Sequence, residues 1–271
     1  MRVLGFPGWF LGERMSGGWG GGYGGRMSTR LARVVFEVER PEVVGRFWAG
    51  LLGWVVAVEG AGMVEVAGVD PEGAEVGLAF VRGRGVRKKR GKNRIHLDVG
   101  SRSVEHQRRQ VDRALALGAR RIDIGQGEVP WVVLADPEGN EFCVLEPREQ
   151  YVDTGAVAAI VVDARDPAGL ARFWATAAGW PIVHDEDRLT GIRAATGQGP
   201  WLEFLRSTDE PPDHGRLHLD LISFPADDPA EEIARLCAAG AKTLPPTDTA
   251  AGTVLADPET YRFRLLRSRS D

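Results

Sequence analysis

The chain of 271 residues is 43% hydrophobic and 27% charged, and its formal net charge is −4 at pH 7. These values describe a soluble globular protein of one large or two ordinary domains, and they argue against a general attraction to nucleic acid or acidic membranes. Two cysteines, Cys143 and Cys237, in a chain without an evident export signal predict reduced thiols in a cytoplasmic protein, and no apolar run approaches the roughly 20 residues of a membrane-spanning helix.

Residues 1–30 are predicted to form a flexible, glycine-rich N-terminal extension. Glycine and proline interrupt the apolar run at 3–11, and nearly every residue of 17–25 is glycine, which disfavours a helix. A secretory signal peptide is therefore not expected. The alternative interpretation is that the natural chain starts at Met27, just before the first strand-like segment.

An internal repeat dominates the rest of the sequence. The segment LARVVFEVERPEVVGRFWAGLLGW at 31–54 is matched by VAAIVVDARDPAGLARFWATAAGW at 157–180. Two further pairs follow in the same order: RIHLDV (94–99) with RLHLDL (216–221), and VVLADPEGNEFCVL (132–145) with TVLADPETYRFRLL (253–266). Ordered self-similarity indicates a duplicated structural unit. We therefore predict two domains, 31–147 and 157–267, joined by a short linker at 148–156 that keeps the copies packed together.

Each copy repeats one pattern of elements twice. In the first copy a β-branched strand at 34–38 precedes a helix at 42–52, whose first turn suits Pro41. A second cycle starts with a strand at 94–99 and a helix at 104–117 that Gly118 ends. Three short strands complete each cycle, near 54–58, 63–67 and 75–81, then near 120–124, 131–135 and 141–146. The predicted fold class is thus α+β, with four βαβββ modules in tandem.

The motifs FW…LLGW, RIHLDV and WVVLADPEGNEFCVL give the chain its resemblance to a known family. After residue 30 it resembles the glyoxalase/bleomycin resistance/dioxygenase (vicinal oxygen chelate) superfamily, in the glyoxalase-like subfamily and in a tandem two-domain form. The resemblance implies two cupped sheets with helices outside, which hold a small ligand, often through a divalent metal. Some members of that superfamily are metalloenzymes and others bind a drug without chemistry, so the resemblance leaves the activity open.

The resemblance also implies four metal-ligand positions per cup. The opening strands place Arg33 and Ala159 there, and the last strands of the odd modules place Ala79 and Glu203. The other two positions hold the histidines of the HLD motifs and the residues seven after the aspartate of the DP turn: His96, His218, Cys143 and Arg264. Neither copy alone has a complete set.

A cup shared between copies is the alternative arrangement. Modules two and three would then combine His96, Cys143 and Glu203, three ligand types that suit zinc. Modules one and four would combine Arg33, His218 and Arg264, which suit an anionic group. A structural role is equally open for these residues. Each histidine shares a strand face with an aspartate two residues on, Asp98 or Asp220, and could simply bond to it, while the cysteine could be an ordinary buried thiol.

Two further features have competing interpretations. The segment 82–94 contains eight basic residues, which could bind a phosphate-rich partner or form a solvated loop, and its acidic counterpart at 207–213 could face it. Nucleic acid is not expected as a partner, because interleaved aromatic residues are lacking. Trp131 and Trp201 lie on predicted strands near the cups and could stack on a flat ligand or pack in the core.

The favoured prediction is a protein that binds a small organic ligand and needs no cofactor. Its ligand-binding candidates are Arg33, His96, Asp98, Trp131, Trp201, His218, Asp220 and Arg264. The alternative is a lyase or isomerase of glyoxalase type that acts on vicinal oxygens, with zinc, nickel or manganese bound by His96, Cys143 and Glu203, and with Glu203 moving the proton. We expect a monomer with an internal pseudo-twofold axis or a homodimer, with no membrane partner.

Overall fold

A computed structural model describes residues 29–60, 62–68, 76–83, 91–208, 215–245 and 252–267. The predicted N-terminal extension up to residue 28 lies outside the described residues, as do 84–90 of the basic segment and 209–213 of the acidic one. No helix among the described residues is both long and apolar enough to cross a membrane.

The predicted βαβββ pattern is confirmed in all four modules. The first copy contains β1 (Thr29–Val38), α1 (Pro41–Leu52), β2 (Val55–Gly60), β3 (Met63–Ala67), β4 (Gly77–Arg82), β5 (Ile95–Val99), α2 (Val104–Ala116), β6 (Arg120–Arg121), β7 (Val132–Ala135) and β8 (Glu141–Val144). The second contains β9 (Val157–Ala164), α3 (Pro167–Ala178), β10 (Ile182–Asp185), β11 (Leu189–Ile192), β12 (Trp201–Arg206), β13 (Leu217–Ser223), α4 (Pro229–Ala238), β14 (Lys242–Thr243), β15 (Thr253–Ala256) and β16 (Arg262–Leu266).

Two strands differ most from the sequence prediction in their bounds. Strand β1 begins at Thr29, because Thr29 pairs with Ser223 of β13, a partner that lies far along the chain. Strand β6 is only Arg120–Arg121, since only these two residues pair with β7. Between the copies, a single 3-10 turn at Glu149–Tyr151 lies within the predicted linker.

Helices α1 and α3 begin and end as their sequences predict. A proline occupies the first turn of each, and each ends at a glycine in the left-handed conformation, Gly53 (φ 73°) or Gly179 (φ 70°). The buried Trp48 of α1 contacts Phe36 of β1 and Phe142 of β8. The helices therefore lie against the apolar faces of the sheets and leave the opposite, concave faces free for polar residues.

Each of the two eight-stranded sheets is built from both copies. Sheet A has the order β14-β15-β16-β13-β1-β4-β3-β2, and sheet B the order β10-β11-β12-β9-β5-β8-β7-β6. Modules one and four thus share sheet A, and modules two and three share sheet B. Within sheet B, strands β5 and β9 pair antiparallel, with His96 opposite Val161. This is the shared arrangement that the sequence offered as an alternative.

The DP turns, at 136–140 and 257–261, join the two modules of each copy. Asp136 accepts hydrogen bonds from the backbone N–H of Glu138 and Asn140, and Trp48 Nε1 donates to it at 3.3 Å. The Glu138 carboxylate in turn accepts hydrogen bonds from the backbone N–H groups of Glu39 and Arg40, at 2.8 and 2.7 Å, where α1 begins. The turn therefore also binds the backbone just before a helix of the neighbouring module.

Candidate functional site

Four central strands of sheet B present the candidate residues on its concave face. Asp98 of β5 lies opposite Cys143 of β8 on one side and opposite Ala159 of β9 on the other. In the next row, Val161 of β9 separates His96 from Glu203 of β12. Because side chains alternate along a strand, Ile95, Leu97 and Val99 face the core while His96 and Asp98 face the cup. 

Three of these side chains form a compact group. Ligand atoms of His96, Asp98 and Cys143 all lie within 4.8 Å of one another. The Cys143 thiol lies close enough to the Asp98 carboxyl group to influence its pKa. The distance from His96 Nε2 to Asp98 Oδ1 is 3.6 Å, too long for a hydrogen bond. Within the described part of the chain, neither His96 Nδ1 nor Asp98 Oδ1 has a hydrogen-bond partner.

Burial sets the protonation of this group. Burial first, and then the charge of Lys92, lower the pKa of His96 to about 3, so the imidazole is neutral at pH 7. Burial, with a contribution from the nearby Glu203 carboxylate, raises the pKa of Asp98 to about 7. Burial and the adjacent Asp98 raise the pKa of the Cys143 thiol well above its usual range. A cationic partner would favour the ionised forms of the last two groups.

Glu203 lies apart from the compact group. The predicted metal set was His96, Cys143 and Glu203, whereas the structure brings the first two together with Asp98. The reason is the strand order, since β9 lies between β12 and β5. The Tyr151 hydroxyl donates a hydrogen bond of 2.8 Å to Glu203 Oε1, and burial raises the pKa of this carboxyl.

Aromatic rings border the group. Trp131 and Tyr151 pack against the buried cluster that contains Cys143. The Tyr151 and Trp201 rings meet edge to face, with centroids 6.2 Å apart. Among the described residues, the buried Trp201 Nε1 has no hydrogen-bond partner. The Arg148 guanidinium lies 5.4 Å from the centroid of the Trp131 ring.

Sequence reasoning missed Tyr151 and Arg148, because both lie in the segment 148–156 that was predicted only as a linker. The linker therefore contributes side chains to the candidate site as well as joining the copies. Its one signal in the sequence was an aromatic residue beside charged ones, PREQY at 147–151, which has no counterpart in the repeat.

The nearby cations are already paired. Lys92 Nζ contacts both carboxylate oxygens of Asp163, at 3.1 and 3.0 Å. Arg148 Nε donates to Glu146 Oε1 at 2.6 Å.

A cleft of about 450 Å³ opens beside this end of sheet B, and Lys92, Ile122 and Glu141 are among its lining residues. Ile122 also packs against the Cys143 cluster, so the cleft adjoins the cup.

The concave face of sheet A holds the other predicted residues, and there the charges compensate one another. Asp220 accepts hydrogen bonds from Arg33 Nε at 2.8 Å and from Arg264 Nε and Nη2 at 2.9 Å. Arg33 also pairs with Glu65. The arginines that the sequence offered to an anionic ligand are therefore held by carboxylates. His218 stays neutral, because burial lowers its pKa to about 3, and within the described residues neither ring nitrogen has a hydrogen-bond partner.

Comparison with known proteins supports the fold and the family. No curated protein matches the chain. Glyoxalase I from Zea mays has a similar structure, with a TM-score of 0.63 and 14% identity over 89% of this chain and 92% of that one. A proposed dioxygenase from Bacillus subtilis gives a TM-score of 0.60 and 14% identity over 91% of this chain and 87% of that one. The family profile of the glyoxalase-like domain matches twice, at residues 33–145 and 159–266, and the chain therefore belongs to the glyoxalase-like domain family.

Proposed function

We propose that the concave face of sheet B binds a small organic ligand. The observation that carries the proposal is a set of buried polar atoms that lack a hydrogen-bond partner among the described residues: His96 Nδ1, Asp98 Oδ1 and Trp201 Nε1. An unsatisfied buried polar group costs about 1–3 kcal/mol. A ligand that bonds to these atoms would recover part of that cost, which supports a binding role for this face.

The aromatic rings support a flat or apolar ligand body. Trp131, Tyr151 and Trp201 surround the polar group with ring faces and edges, and such rings contribute large contact areas to ligand sites. In this proposal the tryptophans stack on the ligand while His96 and Asp98 hold its polar end. In sheet A, His218 with Arg33, Asp220 and Arg264 forms a second candidate site.

The test is to identify what co-purifies with the protein. The natively folded protein is separated from free small molecules and denatured, and the released compounds are analysed by mass spectrometry. We expect one compound in about stoichiometric amount, and its loss from the Trp201→Leu variant. A matched control is Arg46→Ala, which alters an exposed ion pair with Glu59 far from the cup. If the folded protein releases nothing, and neither a metabolite library nor a fluorescent apolar probe binds it, the proposal is contradicted.

We propose as a second candidate a divalent-metal-dependent lyase or isomerase of glyoxalase type. The observation that favours it is the spacing of His96, Asp98 and Cys143, whose ligand atoms all lie within 4.8 Å of one another. Nitrogen, oxygen and sulfur donors together fit zinc, and the neutral imidazole of His96 is ready to bind it. A bound metal would act as a Lewis acid on a substrate's oxygens. Glu203, held by Tyr151, would move the proton.

Elemental analysis separates the two candidates. Protein purified without chelator, and again after soaking in zinc, nickel or manganese, is analysed for bound metal. The enzyme candidate requires about one equivalent of bound metal, which should be lost in His96→Ala and in Asp98→Asn. Glu203→Gln should keep the metal and lose only the catalytic turnover. Less than about a tenth of an equivalent after soaking would contradict it.

A further inference from the structure

We infer that the ligand of sheet B carries a planar cationic group with N–H donors, of the amidinium or guanidinium class, and that Asp98 binds this group. The inference rests on the proposed function and names the chemical class of its ligand. The internal repeat is what carries it, because the second copy contains the same carboxylate already bound to such a group.

Asp98 and Asp220 hold equivalent positions in the two sheets. Asp98 lies on β5 between Ala159 of β9 and Cys143 of β8. Asp220 lies on β13 between Arg33 of β1 and Arg264 of β16. The motifs RIHLDV and RLHLDL place both aspartates at the same point of the repeat. One can therefore be compared directly with the other.

Guanidinium groups satisfy Asp220 completely. Both of its carboxylate oxygens accept hydrogen bonds from Arg264, and Arg33 adds a third. The Asp220 side chain is 0% exposed as a result. Planar N–H donors match a carboxylate in pairs, which makes such contacts short and strong.

Asp98 has no arginine at the two strand positions that correspond to Arg33 and Arg264. The residues in the two equivalent places are alanine and cysteine, so the strands supply no cation, and the Asp98 side chain is 10% exposed. One of its oxygens has no hydrogen-bond partner within the described segments. A planar N–H donor that reached the cup could make the contacts that Arg33 and Arg264 make to Asp220.

The charge around Asp98 favours a cation over an anion. Glu203 is a second buried carboxyl on the same face of the sheet, two strands away and in the row next to Asp98. The nearby Lys92 and Arg148 are paired with Asp163 and Glu146, respectively. An incoming cation would relieve the repulsion between the two carboxyls, whereas an anion would add to it.

The rings of the cup accept planar cations as well. Arg148 already lies 5.4 Å from the Trp131 centroid and 5.8 Å from the Tyr151 centroid, and Arg193 lies 5.9 Å from the Trp201 centroid. Guanidinium and amidinium groups are attracted to aromatic faces at these distances. The cup therefore combines a carboxylate that can accept N–H groups with rings that can contact a flat cation.

Three matched probes test the inference: benzamidine, neutral benzamide and benzoate, each titrated by calorimetry at pH 8. We expect benzamidine to bind at least about tenfold more tightly than benzamide, and benzoate more weakly than both. Asp98→Asn should lower benzamidine affinity to the benzamide level, whereas Asp98→Glu should keep the preference. The Ala159→Arg variant, which places an arginine where sheet A has Arg33, should block benzamidine.

Far-UV circular dichroism and thermal unfolding establish that each variant is folded. Asp98→Asn and Ala159→Arg change the site in different ways, so the test stays valid if one of them fails to fold. Equal affinity for benzamidine and benzamide, or no effect of Asp98→Asn, would overturn the inference while leaving ligand binding by the cup intact. No binding of benzamidine up to about 10 mM would also overturn it. The proposed function is judged separately by the compounds that the native protein releases.

Discussion

The Glu138 carboxylate accepts a hydrogen bond of 2.7 Å from the backbone N–H of Arg40, the residue that precedes helix α1. Glu259 makes the same contact in the second copy, where it accepts hydrogen bonds of 2.9 Å from the N–H groups of Arg165 and Asp166. Each DP turn therefore binds one module to the backbone just before the helix of its neighbour. The Asp-Pro-Glu sequence that the two copies share therefore has the same physical role in each of them.

Replacing Glu138 by alanine should destabilise the fold. The substitution leaves two backbone N–H groups without their acceptor and removes the partner of Arg216, which contacts Glu138 at 3.2 Å. We expect a loss of about 1–3 kcal/mol in the free energy of unfolding, measured by urea denaturation. Glu128→Ala, which changes an exposed glutamate, serves as the control and should stay within about 0.5 kcal/mol of the parent protein. Equal midpoints for the two variants would contradict this role of Glu138.

Thr260→Gly should stabilise the protein. Thr260 is exposed and has a φ of 69°, a left-handed conformation that is costly for a β-branched residue. The equivalent residue of the first copy is Gly139, with a φ of 86°. After allowing for the greater freedom of glycine in the unfolded chain, we expect a gain of about 1 kcal/mol, or roughly 2–4 °C in Tm. The reverse change, Gly139→Thr, should lower Tm, and a rise there would contradict the argument.

Asp98→Asn should change how stability depends on pH. The pKa of Asp98 is about 7 in the folded protein, compared with an ordinary value of 3.8, so the folded state holds a proton that the unfolded state releases between these values. The parent protein therefore loses stability as pH rises from about 4 to 7, and the asparagine variant lacks this loss. The groups that face Asp98 are His96, Cys143 and Glu203, with Lys92 and Arg148 nearby.

The measurement is urea denaturation of both proteins at pH 4 and pH 8. The stability of Asp98→Asn relative to the parent should rise by roughly 2–4 kcal/mol between the two conditions. An equal difference at both pH values would show that Asp98 titrates normally.

His218→Asn should reduce sensitivity to acid. Burial lowers the pKa of His218 to about 3 from an ordinary value of 6.5, although Asp220 beside it acts in the opposite direction. Below pH 6.5 the histidine is therefore protonated in the unfolded state while it stays neutral in the folded state. The free energy of unfolding falls as a result. The charged groups that face His218 are Glu37, Asp220, Arg33, Arg262 and Arg264.

Between pH 7 and pH 4 the free energy of unfolding of the parent protein should fall by on the order of 3 kcal/mol more than that of the variant. The measurement is urea denaturation of both proteins at each pH. The half-buried His184, whose side chain is 34% exposed, serves as the control, since His184→Asn should leave the acid sensitivity in place. A parallel loss in the parent protein and in His218→Asn would contradict the assignment.

The sequence predicted the elements well because their determinants are local. Helices α1 and α3 are set by a proline at the start, a glycine at the end and a buried aromatic pair between them. The repeated motifs also predicted which residues face the cups, since alternation along a strand needs no knowledge of its partners.

The composition of the candidate site was less predictable because it depends on partners distant in sequence. Asp98, rather than Glu203, joins His96 and Cys143, since strand β9 lies between β12 and β5. The pairing of Arg33 with Asp220 depends on the alignment of β1 with β13, which no local pattern encodes. Tyr151 comes from a segment whose sequence indicated only a connection.

The way the four modules share two sheets also bears on how the protein folds. Contacts within sheet B join residues such as Arg94 and Asp163, which are 69 positions apart, whereas Arg33 and Asp220 of sheet A are 187 positions apart. Closing the longer loop costs more chain entropy, and distant pairings slow folding. Modules two and three, in the middle of the chain, can thus form sheet B first. Modules one and four, at its two ends, then pair to form sheet A. Pulse-labelling hydrogen exchange should show amides of β5 and β9 protected before those of β1 and β13, and the reverse order would contradict this sequence of events.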